Sequence, residues 1–581
     1  MIVYGSPRRE VASAALLAEV RRLAATARAT PVAEATRTLL VALGELEQGV
    51  LDAAPLAATE PPAHRELRLA AQAAGSALYL QQAATLLHTP EPDAPARIAA
   101  ALREVAARLA GIAPDALPAR LTVHLAEGFA FYNLYPEQYL LALRASPLWQ
   151  APPDTPVIVA GIRSIGTTLA AVMAGALAAR QGLVQSFTVR PGGPPYCRVV
   201  TLAPWQQAIL AAAGPFARYL AVDEGPGLSG SSLAAMGQAF RDSGVPPDRI
   251  HFFPAHSAGP GSAASATVRA LWAQVSVHTA PPAPALPFDL PDWPVAWPAL
   301  PRYPASAGQP PVPLFERPAW VLPGAGDGQG TLLSFAGLGP QGATLVARVG
   351  ALADAGFAPA PAGWRHGYLA TPILPVPQWG AGPVDSALLG RLGAYVARAA
   401  TIYRDAGDPG AALDELLEMV YWNTWEALGE RAAEQTRRYA TPAWRAALTA
   451  APLIAPPPGL RPDEWGRAAP GLPMLALPLG RLHGHPLPAR ADLAWSLAAL
   501  SHNFALDPPA EAALLAAYEK AGGVPLSRAR QHFYHLAHAA FAAGLAKLAA
   551  EAAPSEGHGW ADYAAAVERL RAALADDLPL P

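Results

Sequence analysis

The segment 219–233 brings together residue types that bind a phosphorylated sugar. An apolar strand pattern ends at the acidic pair Asp223 and Glu224, and a run of glycine, proline and serine then leads into a helix. Backbone amides at a glycine-rich turn before a helix bind anions. Carboxylates accept hydrogen bonds from ribose hydroxyls or hold Mg²⁺ through water. The pattern predicts a phosphate pocket beside a clamp for a sugar diol.

A second segment, 157–168, shows the same order of strand, turn and helix. Its turn places Arg163 and Ser164 before the helix, where a guanidinium and backbone amides together attract an anion. Arg163 would also suit a surface ion pair. Arg190 follows another apolar segment and begins a loop that is suited to act as a mobile cover.

Together the two segments resemble the loops that bind phosphoribosyl pyrophosphate (PRPP) in the type I phosphoribosyltransferases. In that family a strand is followed by two acidic residues, a short spacer and Thr-Gly-x-Thr or a close variant. Asp223 and Glu224 match the acidic pair, and 229–232 match the 5′-phosphate loop. The spacer, 225–228, is one residue longer than is usual in the family. The segment 157–168 resembles the family's pyrophosphate loop.

The resemblance implies a role for each of these residues. It makes Asp223, Glu224 and Arg163 catalytic, with Asp223 and Glu224 also holding Mg²⁺ indirectly. Phosphate and ribose would be bound by Gly227, Ser229, Gly230, Ser231 and Ser232. Pyrophosphate would be bound by Arg163, Ser164, Ile165 and Gly166.

The implied activity is that of a pentosyltransferase. Such an enzyme binds PRPP with Mg²⁺ and transfers the phosphoribosyl group to an acceptor, here unidentified, with release of pyrophosphate. A different class is also open: a non-catalytic protein that senses PRPP or a nucleotide, or a scaffold that binds a partner through its C-terminal region. For the segment 219–233 alone, a generic nucleotide loop and a purely structural turn stay open as well.

The wider sequence predicts a multidomain chain. Residues 1–150 have helical apolar spacing, so we expect an all-α region. Residues 153–277 alternate strand and helix patterns, which predicts a doubly wound parallel sheet of the phosphoribosyltransferase-like type, with one strand at 198–202. A proline-rich linker at 278–318 precedes an α+β region with a helical tail at 319–581.

The region 319–581 resembles kinases of the aminoglycoside-phosphotransferase type at 330–335, 351–359 and 491–498. Kinases of this kind use a lysine in the small lobe to bind nucleotide phosphates. The first lysine of this chain is Lys520, and Ser334 stands where that lysine would align. We therefore expect a degenerate, pseudokinase-like module, and an active small-molecule kinase is disfavoured.

Composition limits the remaining possibilities. The 581 residues are 15 % charged with a net charge of −3, which gives no basic face for nucleic acid. The single cysteine, Cys197, excludes an internal disulfide and a Cys-rich metal site. No signal peptide or apolar span is recognisable, so we expect a cytoplasmic protein with no membrane contact. The low charge makes a homo-oligomer or a protein partner plausible.

Overall fold

The computed structural model describes most of the chain. The described residues are 8–180, 182–194, 196–214, 216–227, 229–256, 258–281, 315–324, 330–374, 384–468, 472–482, 484, 486–552 and 558–576. Most of the predicted linker, 278–318, lies outside them.

The N-terminal region is helical apart from one pair of strands. Strand β1 (Arg8–Ala12) pairs antiparallel with β2 (Arg120–His124). The prediction of an all-α region is therefore wrong for these two strands. They could not be predicted from the sequence, because strands so far apart along the chain leave no hairpin signal. The helices are α1 (Ser13–Ala29), α2 (Ala33–Asp52), α3 (Pro62–Gln82), α4 (Ala94–Ala110), α5 (Glu127–Ala130) and α6 (Pro136–Ala145).

The central region contains the predicted parallel sheet. Its strand order is β4-β3-β5-β6-β7, and all neighbours are parallel. The strands are β3 (Val157–Ile162), β4 (Val184–Val189), β5 (Arg218–Val222), β6 (Ile250–Phe253) and β7 (Ser276–Val277). The connecting helices are α7 (Ile165–Arg180), α8 (Pro204–Ala212), α9 (Ser231–Asp242) and α10 (Ala266–Trp272).

Helices cover both faces of this sheet, as a doubly wound fold requires. In β3, Val157 and Val159 join a core with α7 and the N-terminal helices, whereas Ile158 and Ala160 join a second core with α8, α9 and α10. Every residue of β3 is buried, which explains its continuous apolar sequence. The predicted strand at 198–202 does not form, because that stretch makes only an isolated bridge between Val199 and Gly192.

The C-terminal region begins with a four-stranded antiparallel sheet in the order β10-β11-β9-β8. Its strands are β8 (Ala319–Leu322), β9 (Thr331–Phe335), β10 (Gly363–Arg365) and β11 (Tyr368–Pro372), and α11 (Gly339–Asp354) lies between β9 and β10. Its buried residues Leu333, Phe335 and Tyr368 belong to the same core as the N-terminal helices.

The rest of the C-terminal region is mostly helical, as expected. Its helices are α12 (Ser386–Ile402), α13 (Pro409–Leu428), α14 (Glu430–Thr436), α15 (Pro442–Leu448), α16 (Ala494–Asn503), α17 (Pro508–Lys520), α18 (Arg528–Ala552) and α19 (His558–Ala575). Two small strand pairs interrupt them: β12 (Leu453–Ile454) with β15 (Ala491–Asp492), and β13 (Trp465–Ala468) with β14 (Leu472–Leu475). Among the described residues, no helix is both long enough and apolar enough to span a bilayer.

Candidate functional site

Three neighbouring strands bring the predicted site residues to one edge of the parallel sheet. Ile162 of β3 lies opposite Val189 of β4, and Gly161 lies opposite Val222 of β5. The chain therefore continues from these strand ends into Arg163, Arg190 and the acidic pair 223–224. Adjacent strands are about 4.8 Å apart. We call this place the sheet-edge site.

Two glycines bring the first turn of α7 against the end of β5. A Cβ atom on Gly161 would lie 2.2 Å from the carbonyl oxygen of Gly166, and one on Gly166 would lie 2.8 Å from that of Val222. Close backbone packing therefore requires both glycines. This packing sets the N-terminus of α7, with Ser164 and Ile165, directly beside the residue that precedes Asp223.

Hydrogen bonds fix the two acidic residues after β5. The amide of Gly128 donates to Oε2 of Glu224 over 2.9 Å, and the amide of Glu224 donates to Oδ1 of Asp223 over 2.8 Å. The hydroxyl of Tyr139 donates to the carbonyl oxygen of Asp223 over 2.6 Å. Because Gly128 is in α5, the neighbouring Glu127 becomes a third carboxylate of the site.

The three carboxylates hold their protons unusually strongly. Burial raises the pKa of Glu224 to about 8, and the negative charges of Glu127 and Asp223 add to this effect. Burial also raises the pKa of Asp223 to about 7, against the lowering effect of backbone amides. The pKa of Glu127 rises to about 7 through burial and the charge of Asp223. Clustered carboxylates of this kind favour a cation or a hydrogen-bonding ligand between them.

Gly128 is the closest contact between α5 and the acidic pair. A Cβ atom there would lie 2.7 Å from Cδ1 of Ile165, 2.9 Å from Cδ2 of Leu134 and 3.0 Å from Cδ of Glu224. A side chain at position 128 would therefore push α5 away from the sheet edge.

The serine-containing loop forms a tight turn into α9. Gly227 and Gly230 have φ angles of +57° and +65°, and the amide of Gly230 donates to the carbonyl oxygen of Pro226 over 2.8 Å. The Ser229 hydroxyl donates to the Ser231 hydroxyl over 2.9 Å, and both side chains are buried. Ser232 is the second residue of α9 and partly exposed.

Pro260 and Trp272 contact this turn. A Cβ atom on Gly230 would lie 2.7 Å from Cβ of Pro260, and the indole of Trp272 in α10 donates to the carbonyl oxygen of Gly230 over 3.2 Å. Residue 228, in the spacer that is one residue longer than usual, lies outside the described residues. The predicted phosphate loop is thus a supported turn that opens a helix, which is the geometry that an anion cradle needs.

The two predicted arginines share one carboxylate. Arg163 Nη1 donates to Oδ1 of Asp52 over 2.7 Å, and Arg190 Nε donates to both oxygens of Asp52 over 2.9 Å. Arg190 also donates through Nη2 to Gln48 over 3.1 Å. Asp52 and Gln48 belong to α2, so a helix of the N-terminal region completes this part of the sheet edge.

Arg163 keeps unused hydrogen-bonding capacity. Its side chain is only 4 % exposed, and its buried Nε has no hydrogen-bond partner among the described residues. Burial lowers its pKa to about 10, an effect that the charge of Asp52 opposes and that of Arg190 reinforces. The carboxylate of Asp52 pairs with both guanidiniums, and that of Glu47 also acts on Arg163.

The residues present fit Mg²⁺ held through water. Mg²⁺ prefers oxygen ligands, keeps several waters and is bound through one or two carboxylates together with substrate phosphates. Asp223, Glu224 and Glu127 offer carboxylate oxygens beside the loops that are predicted to bind anions. No group of three or more His, Cys, Asp or Glu has the geometry of a direct metal cage within the described residues.

The sequence predicted that Arg163, Arg190, Asp223 and Glu224 follow strand ends, but three of their neighbours in the structure carry no motif. Glu127 belongs to the four-residue helix α5 and lies beside the acidic pair because Gly128 bonds Glu224. Asp52 and Tyr139 had no local motif, because each reaches the sheet edge only through the packing of a whole helix.

The kinase-like segment around 492 has a structural role. Asp492 is 1 % exposed, and Arg530 donates to its two oxygens over 2.7 and 2.6 Å. Asp492 also accepts from the amide of Ala494 over 2.9 Å, which starts α16. Ser334 lies buried in β9.

Comparison with known proteins identifies no family. No family model matches the chain, and no curated protein matches it. Among solved structures, it is similar to the choline kinase LicA from Streptococcus pneumoniae, with 16 % identity over 44 % of this chain and 89 % of that one, at a TM-score of 0.30.

Two further solved structures give the same level of similarity. A choline/ethanolamine kinase family protein from Mesorhizobium loti shares 15 % identity over 48 % of this chain and 88 % of its own, at a TM-score of 0.32. A spectinomycin phosphotransferase solved with ADP and spectinomycin shares 10 % identity over 47 % and 92 %, at 0.31. All three are kinases or phosphotransferases by name. At such TM-scores the similarity assigns no activity to this chain.

Proposed function

We propose that the sheet-edge site binds PRPP with Mg²⁺ and transfers its phosphoribosyl group to an acceptor, with release of pyrophosphate. One observation carries the proposal. Three adjacent parallel strands end in Arg163, Arg190 and the pair Asp223–Glu224, beside a serine–glycine turn that opens α9. Anion-binding groups thus flank hydrogen-bond acceptors suited to a sugar diol.

Each part of the site has a distinct task. The turn at 229–232 and the N-terminus of α9 would bind the 5′-phosphate. Arg163, with the turn that opens α7, would bind the pyrophosphate, and Arg190 would close over it. Asp223 and Glu224 would accept hydrogen bonds from the ribose hydroxyls and hold Mg²⁺ through water.

The reaction is a displacement at C1 of the ribose. The bond from C1 to pyrophosphate breaks with its electron pair leaving on oxygen, and the acceptor supplies the pair for the new bond and loses a proton. Mg²⁺, when bound, supplies charge stabilisation to the pyrophosphate oxygens. The guanidiniums of Arg163 and Arg190 would act on the same leaving group, and the loops would align the sugar with the acceptor.

The first experiment is a calorimetric titration of PRPP with Mg²⁺. We expect micromolar, Mg²⁺-dependent binding to the wild type and an affinity at least about tenfold lower for Asp223→Asn, because a hydrogen bond to a charged group is lost. Asp248→Asn is the matched control, since the Asp248 side chain is 74 % exposed at the far side of the domain. Absence of binding at millimolar PRPP would overturn the proposal.

A second measurement separates transfer from sensing. Pyrophosphate release is followed while nitrogenous bases and other nucleophiles are offered as acceptors. Release that depends on an acceptor and on Asp223 supports the transferase. PRPP binding without release for every acceptor would favour the non-catalytic sensor instead.

A further inference from the structure

A large cavity lies away from the sheet-edge site. It has a volume of about 650 Å³, within the range of pockets that hold small organic ligands. Its walls come from β1 and β2, from α11, and from α16, α18 and α19. None of the proposed PRPP-binding residues lines it. Phe131, which directly follows α5, is on its wall.

The lining of the cavity carries more positive than negative side chains. Among the described lining residues are seven arginines and four carboxylates. Three of these carboxylates are already engaged: Glu45 with Arg9 over 2.6 Å, Asp405 with Arg490 over 3.7 Å, and Glu464 with two backbone amides over 2.6 and 2.7 Å. The excess charge therefore favours an anion.

Two of the arginines are held in position. Arg317 donates through Nη1 to the carbonyl oxygen of Phe335 over 2.6 Å, and its buried Nε has no partner among the described residues. The guanidinium of Arg348, in α11, lies over the ring of Tyr403 at 4.9 Å. Held guanidiniums bind an anionic group with little loss of side-chain entropy.

Part of the cavity lining is aromatic and contains a buried histidine with an unpaired nitrogen. His538 is 4 % exposed, and its Nδ1 has no partner among the described residues. Its ring centroid lies 5.3 Å from that of Trp495, 5.8 Å from Phe541 and 4.9 Å from His502. A buried nitrogen without a partner is unfavourable, and a ligand in the cavity can supply the missing hydrogen bond.

We infer that this cavity is a second ligand site for a small organic anion with a planar apolar ring. The anionic group would meet Arg348 and Arg317, and the ring would pack against Trp495 and Phe541. A polar atom of the ligand would pair with His538. This inference is independent of PRPP binding, because it uses none of the sheet-edge residues.

The test uses two fluorescent probes that differ in charge. 1-Anilinonaphthalene-8-sulfonate is an organic anion with a planar naphthalene ring, and N-phenyl-1-naphthylamine has the same rings without the sulfonate. We expect saturable one-to-one binding of the sulfonate to the full chain, at least about tenfold tighter than the neutral probe. Equal affinity for the two probes would overturn the inference.

Substitutions of cavity-lining residues test whether the fluorescence signal of the sulfonate comes from the cavity. Arg348→Gln should weaken sulfonate binding about fivefold or more, whereas Arg103→Gln, an exposed arginine of α4, should leave it unchanged. Ala542→Phe, on the cavity wall, should abolish the saturable signal. If its melting temperature falls, Ala546→Phe on the same helix replaces it. Sulfonate binding that survives a folded filling variant contradicts the inference.

Discussion

Replacing Glu127 by glutamine should change how the stability of the protein depends on pH. The pKa of Glu127 in the folded protein is about 7, against 4.5 for the free side chain. The folded state therefore binds a proton that the unfolded state has lost between about pH 5 and 7. The unfolding free energy of the wild type must then fall as pH rises through this window, since the unfolded state binds fewer protons.

The magnitude follows from the same pKa difference. One retained proton changes the unfolding free energy by about 1.4 kcal/mol per pH unit. The change in unfolding free energy caused by Glu127→Gln should therefore be about 3 kcal/mol more stabilising at pH 8 than at pH 4. At pH 4 the carboxyl of glutamate and the amide of glutamine are both neutral. Glu224 adds to this, because its raised pKa also depends on the charge of Glu127.

The assay is thermal unfolding of the full chain at pH 4, 6.5 and 8. For a cooperative unit of 150–250 residues, about 3 kcal/mol corresponds to a rise in melting temperature of about 6 °C or more. Glu415→Gln is the control, because Glu415 is an exposed residue of α13 outside the acidic cluster. A variant curve parallel to that of the wild type would refute the acidic cluster as described.

Three further substitutions test other contacts. Asp52→Asn should tighten the binding of inorganic pyrophosphate, measured by calorimetry, because it removes a carboxylate that competes for two arginines; unchanged affinity would contradict this. Gly128→Ala should lower the melting temperature by an amount equivalent to about 1–3 kcal/mol, whereas Gly350→Ala, whose Cβ meets open space, should not. Asp492→Asn should cost about 1–3 kcal/mol, because the half-buried guanidinium of Arg530 loses its charge partner, while PRPP binding stays unchanged in the protein that remains folded; loss of PRPP binding would argue against separate roles.

Local sequence patterns predicted the strands and helix starts that a few adjacent residues are enough to specify. The continuous apolar run of β3 indicated a strand buried on both faces, and the glycine-rich turn before α9 indicated a helix start. Both signals depend on a few adjacent residues, so no tertiary information was needed. The predicted strand at 198–202 failed for the opposite reason: it is apolar enough for a strand but finds no neighbour to pair with beyond one bridge.

Contacts made by distant helices could not be predicted in this way. The pair β1–β2 joins segments that are more than a hundred residues apart, with Arg8 opposite His124. Glu127 gains its raised pKa only because α5 packs on the end of β5. A sequence motif shows which side chains are near each other along the chain, whereas burial and charge repulsion depend on which elements pack together.

Asp52 shows what this packing adds to the proposed chemistry. Its single negative charge lies between Arg163 and Arg190, where the proposed pyrophosphate group would bind. Pyrophosphate carries more negative charge than one carboxylate, so it can displace Asp52 and also satisfy the unpaired Nε of Arg163. In the absence of pyrophosphate, the carboxylate of Asp52 offsets the repulsion between the two neighbouring guanidiniums in a partly buried site. The carboxylate that pairs with both arginines before any ligand binds is therefore supplied by the end of α2, more than a hundred residues before Arg163 in the sequence.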